Sequence, residues 1–448
     1  MKLIRILFSI TLLCWSLIAA KAQSSILNNY IQEGVANSDV LKQQNFQLQK
    51  SLYALEEAKG LFLPSVNLNG TYTLAAGGRS ISIPVGDLMN PVYTALNELT
   101  GTNQFPQIEN VNENFNPNNF YDVKIRAAYP IVNQDIRYNK QIKEQMIDLQ
   151  QVDIDIYKQE LAKSIRLAYF QYLQASEATR IYQNALTLLR ESLRVNQKLY
   201  ENDMINRTAV TRSESEITKV EAQLTEAQNN AQNAAAYFNF LLNKPFDTPI
   251  AEDESLQQIG YDFQTSFEGS TENRDELRKL TVAQGLNQTA LKLNESYQIP
   301  KVNAFVDAGS QGFNFEVGNG SFYALGGVSI ELPIYNGNRN KQKIKMAEMD
   351  VATVQTQREQ VADQLALQLN TAVRDYQSAL QIFNSSQVQV ASAKRYFDDV
   401  SKQYREGQVL YIEYLDARNE LTNAELQQSI SLFNVWQKWT EVQRALGK

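Results

Sequence analysis

Two hydrophobic rhythms run along the chain. Four short stretches show period two, the mark of strands with one apolar face. In 65–76, Val66, Leu68, Tyr72 and Leu74 fall on one side and Asn67, Asn69, Thr71 and Thr73 on the other. In 120–131, Tyr121, Val123, Ile125, Ala127 and Tyr129 oppose Asp122, Lys124 and Arg126. Within 301–311, Val302, Ala304, Val306 and Ala308 alternate with Asn303 and Asp307, with Phe305 out of phase. Within 322–332, Val328, Ile330 and Leu332 oppose Ser329 and Glu331. Strands of roughly ten residues suit a tilted bilayer crossing.

The other rhythm is helical. Gln134–Glu201 and Asn338–Glu406 contain neither Gly nor Pro. At 1.5 Å per residue each would extend roughly 100 Å. A globular domain cannot enclose such a helix, so coiled-coil-like packing is expected. Narrow apolar stripes such as Ile165, Tyr169, Tyr172 and Leu173 sit in a polar background, so one face packs and another meets water. Shorter helices are expected over Thr208–Leu242, Asn273–Gln298 and Ser38–Phe62. The first two would line one long helix, joined across a segment that holds Pro245, Pro249, Gly260 and Gly269. The N-terminal helix would complete the other.

An internal repeat orders these elements. Phe62-Leu63-Pro64-Ser65-Val66 matches Gln298-Ile299-Pro300-Lys301-Val302 at an offset of 236. Ala128-Tyr129-Pro130-Ile131 matches Glu331-Leu332-Pro333-Ile334 at 203, and Tyr200-Glu201-Asn202-Asp203 matches Tyr404-Arg405-Glu406-Gly407 at 204. Two copies of a helix–hairpin–helix unit explain this if the first carries about 33 extra residues. The expected organisation is a first repeat over 23–242 with a loop insertion at 77–119, an equatorial linker over 243–272, and a second repeat over 273–448. The insertion is rich in Asn, Pro and Gly, and Asp87–Leu99 could hold a short helix.

Composition narrows the function. A basic start, an apolar stretch from Ile6 to Ala20 and Ala20-Lys21-Ala22 read as a signal peptide over 1–22. Cys14, the only cysteine, lies inside it after Leu13, which does not suit a lipid anchor. Losing Lys2, Arg5 and Lys21 leaves the remainder more acidic than the whole chain's −7, and no basic stripe points to nucleic acid. With no histidine, a Ser-His-Asp triad and imidazole metal sites are excluded. Neither an enzyme, a metal site nor a cofactor is expected. No run of 18 apolar residues follows the leader, so no transmembrane helix is expected. A β-barrel would give a much weaker signal. Four strands cannot close one, because the smallest transmembrane barrels have eight. Strands in a membrane would therefore require an oligomer, and the count alone allows a dimer, a trimer or more.

The order of motifs resembles the TolC family of outer membrane factors. Leu63-Pro64-Ser65 precedes the first strand, and Tyr129-Pro130-Ile131-Val132 follows the first hairpin. Leu332-Pro333-Ile334-Tyr335-Asn336-Gly337-Asn338-Arg339 follows the second and resembles the family's P-[LI]-[FY]-x-G-x-R motif. Ala168-Tyr169-Phe170 resembles its long-helix signature. Tyr404-Arg405-Glu406-Gly407 with Tyr414-Leu415-Asp416-Ala417 resembles its helix–turn–helix tip. The resemblance implies a homotrimer whose hairpins close a 12-stranded barrel in the outer membrane of a Gram-negative bacterium, above a periplasmic α-barrel. It also implies a periplasmic adaptor docked at the tip and an inner-membrane transporter that supplies the energy, so the channel itself is passive.

Candidate residues follow. Glu413 and Asp416 share a helix face and match the family's acidic ring at the periplasmic entrance. The tip and adaptor contacts would be Asn202, Asp203, Met204, Ile205, Tyr404, Gly407, Gln408, Val409 and Leu410. Val409 and Ala209 stand where the family's closing network carries charged residues, so a closed state would need other contacts. Asp122, Lys124 and Arg126 are candidates for the barrel lumen. Pro130, Pro333 and Gly337 are expected where strands end and helices start. Trp436 and Trp439 read as packing or equatorial anchors. The expected function is an exit duct for drugs or similar amphiphiles, with protein secretion or metal efflux as variants. The rival class is a soluble exported coiled-coil protein with a structural or adhesive role.

Overall fold

A computed structural model describes residues 25–257, 259 and 270–447. The expected leader and residues 258 and 260–269 of the expected linker lie outside the described residues. The elements run α1 (Ser25–Asn37), α2 (Asp39–Gly60), β1 (Ser65–Thr73), β2 (Ser80–Ile83), α3 (Val85–Thr100), β3 (Val111–Asn114) and β4 (Phe120–Val132). They continue with α4 (Gln134–Glu201), α5 (Arg207–Leu241), α6 (Asp275–Glu295), β5 (Lys301–Phe313), β6 (Phe322–Glu331), α7 (Arg339–Arg405) and α8 (Tyr411–Ala445). The chain forms two compact units. One comprises the described residues up to 51 with 145–286 and 350–447, and the other 52–144 with 287–349. Each unit draws on both halves of the sequence.

The second unit is built on a four-stranded antiparallel sheet in the order β1-β4-β5-β6. Its register gathers the period-two pattern into two faces. Val66↔Ala127, Leu68↔Ile125 and Tyr72↔Tyr121 pair across β1 and β4, and Val302↔Ile330 and Ala304↔Val328 across β5 and β6. Asp122↔Gln311 and Arg126↔Asp307 lie on the opposite face. Phe305, out of phase in sequence, is accommodated there. Its ring lies under the Arg126 guanidinium at 4.9 Å, and a Cβ on its partner Gly327 would come within 2.9 Å of that ring. The predicted insertion is more than a loop. β2 and β3 form a ribbon, and α3 spans 16 residues.

One prediction about proline needs correction. Pro130 does not end its strand, because β4 continues to Val132 with a register shift between the two residues. β1 starts at Ser65 opposite Ala128, so Pro130 lies past the end of that ladder, where a residue without an N–H is tolerated. The following helix starts four residues on. Its cap is Asn133, whose side-chain oxygen accepts from the Asp135 N–H at 3.1 Å. Pro333 does follow the end of β6, and α7 begins only at Arg339 after left-handed Gly337 and Asn338.

The first unit is helical. Its main core joins α1, α4, α5, α7 and α8 around Ile165, Tyr169, Phe238, Tyr376 and Val435. The helix pairing predicted from the sequence is also corrected here. The end of α5 meets the start of α2, where Asn243 donates to the Asn37 carbonyl at 3.3 Å and to Asp39 at 3.2 Å. The end of α8 meets the start of α6, where Arg274 donates to the carbonyls of Arg444 at 2.8 Å and Ala445 at 3.0 Å. Each short helix therefore joins its own repeat's partner. The segment after α5 is instead tied down by side chains: Asn239 to the Phe246 and Thr248 carbonyls, Tyr169 to the Ala251 carbonyl and Trp436 to the Leu256 carbonyl. Trp436 thus both packs and anchors, and Trp439 packs on Tyr376.

Candidate functional site

The tip is formed by two helix–turn–helix ends within the helical unit. α4 stops at Glu201 and α7 at Arg405, and both turns pass through a left-handed residue, Asp203 (φ 58°) and Gly407 (φ 71°). These positions are related by the 204-residue offset, so the aspartate adopts the conformation its glycine counterpart takes freely. Asn202 donates to the Lys198 carbonyl at 2.7 Å. Ile205 and Val409 are half-buried, while Met204, Gln408 and Leu410 are exposed.

Tyr404 is the organising side chain. Its hydroxyl donates to Asn196 at 2.5 Å, and Asn196 donates to Ser213 at 2.8 Å. Ser213 and Tyr411 share a 2.6 Å hydrogen bond. The Tyr404 ring lies 5.5 Å from Tyr411 and 5.3 Å from Tyr414. α4, α5, α7 and α8 are thereby joined through one buried polar and aromatic cluster. Burial raises the Tyr404 phenol to about 12, so it stays a neutral donor at physiological pH.

Beside this cluster lies Arg418, 1% exposed. It donates to Glu216 at 3.2 Å, while its Nε and Nη1 have no partner among the described residues. Burial lowers its pKa, opposed by Glu216. Glu413 and Asp416, on the same helix, are exposed, with no ion pair among the described residues. Periodicity could not single out Asn196, Ser213 or Arg418 in polar helices. Tyr411 and Tyr414 carried a signal, because with Tyr404 they make three aromatics in eleven residues.

A second candidate site lies on the sheet. Lys124 pairs with Asp122 at 2.8 Å, and Arg126 grips Asp307 through two bonds of 2.7 and 2.6 Å. Tyr323 donates to Asp122 at 2.7 Å. The three predicted residues are thus brought together with two partners from the second hairpin. The cluster contains two acids and two bases, so its charges balance. The other face is exposed: Val66, Leu68, Ile125, Val306, Val328 and Ile330 all keep more than half their surface. No helix among the described residues is long and apolar enough to cross a membrane.

Residues 269–448 match the outer membrane efflux protein family. The fold of the whole chain agrees. It resembles the CmeC outer membrane channel of Campylobacter jejuni, with a TM-score of 0.72 at 14% identity, over 94% of this chain and 86% of that one. It also resembles the outer membrane protein VceC of Vibrio cholerae, at 0.71 and 15%, over 94% and 96%. The open state of the Neisseria gonorrhoeae MtrE outer membrane channel gives 0.74 and 16%, over 94% and 89%. No curated protein matches in sequence. The resemblance to TolC-like proteins read from the motifs therefore holds. The fold of the chain is thus that of solved outer membrane channels.

Proposed function

We propose that the efflux-type chain is one third of a passive exit duct in the outer membrane of a Gram-negative bacterium. Three copies of the four-stranded sheet close a 12-stranded barrel, and the helices of the three copies form a periplasmic tunnel. The observation that carries this reading is the sheet itself. Its exposed face is apolar from Val66 in β1 to Ile330 in β6, and among the described residues β1 and β6 are open edges. In hydrocarbon an open edge leaves backbone groups unpaired at several kcal/mol each, so lipid demands closure by further copies. In water, such an edge and face would promote aggregation. This disfavours a soluble coiled-coil role.

The polar face, with Asp122, Lys124 and Arg126 in balanced pairs, lines the lumen. The tip turns, including Met204, Ile205, Gln408, Val409 and Leu410, receive a periplasmic adaptor that links the duct to an inner-membrane transporter. The Tyr404–Asn196–Ser213–Tyr411 cluster substitutes for the charged closing network of the family. Glu413 and Asp416 form the acidic entrance, where threefold symmetry would set six carboxylates around the pore and favour cations. The cargo proposed for this passive duct is a small amphiphile.

The test is reconstitution in a planar bilayer. Cation-selective conductance is expected, and Glu413→Ala with Asp416→Ala should remove the selectivity and weaken block by divalent cations while conductance persists. A water-soluble, non-conducting product would overturn the channel reading. Unchanged selectivity in the double variant would overturn only the acidic entrance.

A further inference from the structure

The insertion between β1 and β4 presents a helix with one committed face and one free face. On the committed face, Asn90 exchanges two hydrogen bonds of 2.9 Å with the backbone of Ile108. One heptad later, Asn97 does the same with Phe105 at 2.8 and 3.1 Å. Asn110 bonds both the backbone and the carboxylate of Asp87. Gly86 lets the helix sit close, since a Cβ there would fall 2.6 Å from the Ile108 carbonyl oxygen. These clamps fix the rotation of α3 on its own return segment.

The opposite face carries Leu88, Val92, Ala95 and Leu99, all exposed. Their 4-3-4 spacing is that of the a and d positions of a coiled coil. The helix contains Asp87 and Glu98 and no basic residue. That charge disfavours an anionic lipid surface, which interfacial helices meet with Lys and Arg. It leaves apolar helices of the same kind as the fitting partner.

The insertion is also continuous with the seam between copies. Beyond β1, the hairpin is carried on by Ala75 bonding Asn118, Asn116 bonding the Gly77 carbonyl, and Phe115 bonding the Arg79 carbonyl, which leads into β2 and β3. β1 is an open edge of the sheet, where the next copy must pair. A stripe of four side chains is too small to hold free helices together. Tethered to one barrel, however, the helices would meet at an effective concentration on the order of millimolar.

We propose that α3 packs through Leu88, Val92, Ala95 and Leu99 against the same helix of the other copies, making a three-helix cap over the distal mouth of the barrel. This rests on the trimeric reading above. The cap narrows the exit, and its small interface lets it part when cargo passes.

The test uses single-cysteine variants of the full chain in outer-membrane vesicles, since Cys14, in the predicted leader, is the only native cysteine. Under copper phenanthroline oxidation, Val92→Cys and Leu99→Cys should form disulfide-linked dimers at least about tenfold faster than Thr94→Cys on the clamped side, as their shared tether brings them together. Leu88→Ser, Val92→Ser and Leu99→Ser combined should raise single-channel conductance severalfold. Trimers by native mass spectrometry without stripe-selective cross-linking would overturn the cap and leave the duct intact. Monomers would overturn both.

Discussion

In the helical unit, Ile165, Tyr169 and Phe238 have no exposed surface, whereas in the sheet unit Leu68, Val328 and Ile330 each keep more than 60% of theirs. Both units follow the same hydrophobic rule, but with different partners. The helical unit finds its apolar partners within the chain, where the Phe238 ring meets Tyr30 edge-on at 5.1 Å. The sheet unit spends its internal contacts on polar groups and turns its apolar side chains outward. On the proposed duct reading, the outward apolar face of the sheet unit is covered by lipid and its open edges by further copies.

Three substitutions would break or sharpen this contrast. The largest effect is expected from Phe238→Ala, which empties a fully buried site and should cost about 3–5 kcal/mol. It should appear as an earlier unfolding midpoint in denaturant, in detergent as well as in lipid. An unchanged midpoint would mean that the helical core is not self-sufficient. Val328→Arg, on the exposed sheet face, should cost about 2–4 kcal/mol near the bilayer midplane. It should lower the yield of trimers in vesicles and leave the detergent midpoint unaltered. Equal loss in both media would refute a lipid-facing role.

The third prediction concerns pH. Burial alone would raise the Glu276 carboxyl, but Arg274 at 2.7 Å and Arg444 at 2.6 Å outweigh it and hold it at about 2. A depressed carboxyl stabilises the fold above its unfolded value and loses that contribution as pH falls through the folded one. The helical unit should thus lose roughly 2–3 kcal/mol as pH falls from about 4.5 to 2. Glu276→Gln should flatten that part of the profile, measured by melts across the range. A variant as acid-labile as the native chain would assign the loss to other carboxylates.

Much of this fold was legible in the chain. The bounds of α7 fall between Gly337 and Gly407, because glycine readily ends a long solvated helix, whereas α4 ends at a turn through Asp203 that holds neither Gly nor Pro. The strands were legible because one of their faces has a single environment. The chain could not show how helix ends meet. Leu242 and Arg274 each abut a different helix end, and residues 246–256 between them are held by Tyr169, Asn239 and Trp436. The tip was legible in part. Its turns followed from repeat spacing, and the acidic pair, named from the family resemblance, remains a proposal, whereas Asn196, Ser213 and Arg418 are polar residues whose burial depends on four helices converging.

The sequence by itself determined the element list, the duplication and the alternation that sorts the sheet into two faces, because each depends on local periodicity and on where Gly and Pro fall. Only the tertiary structure decided which partners those faces and ends acquire. It paired Arg126 with Asp307 across 181 residues, passed Pro130 through a strand and set Tyr404 against Asn196. Such pairings depend on register and on helix ends meeting in space, and nothing in the spacing of residues along the chain encodes them.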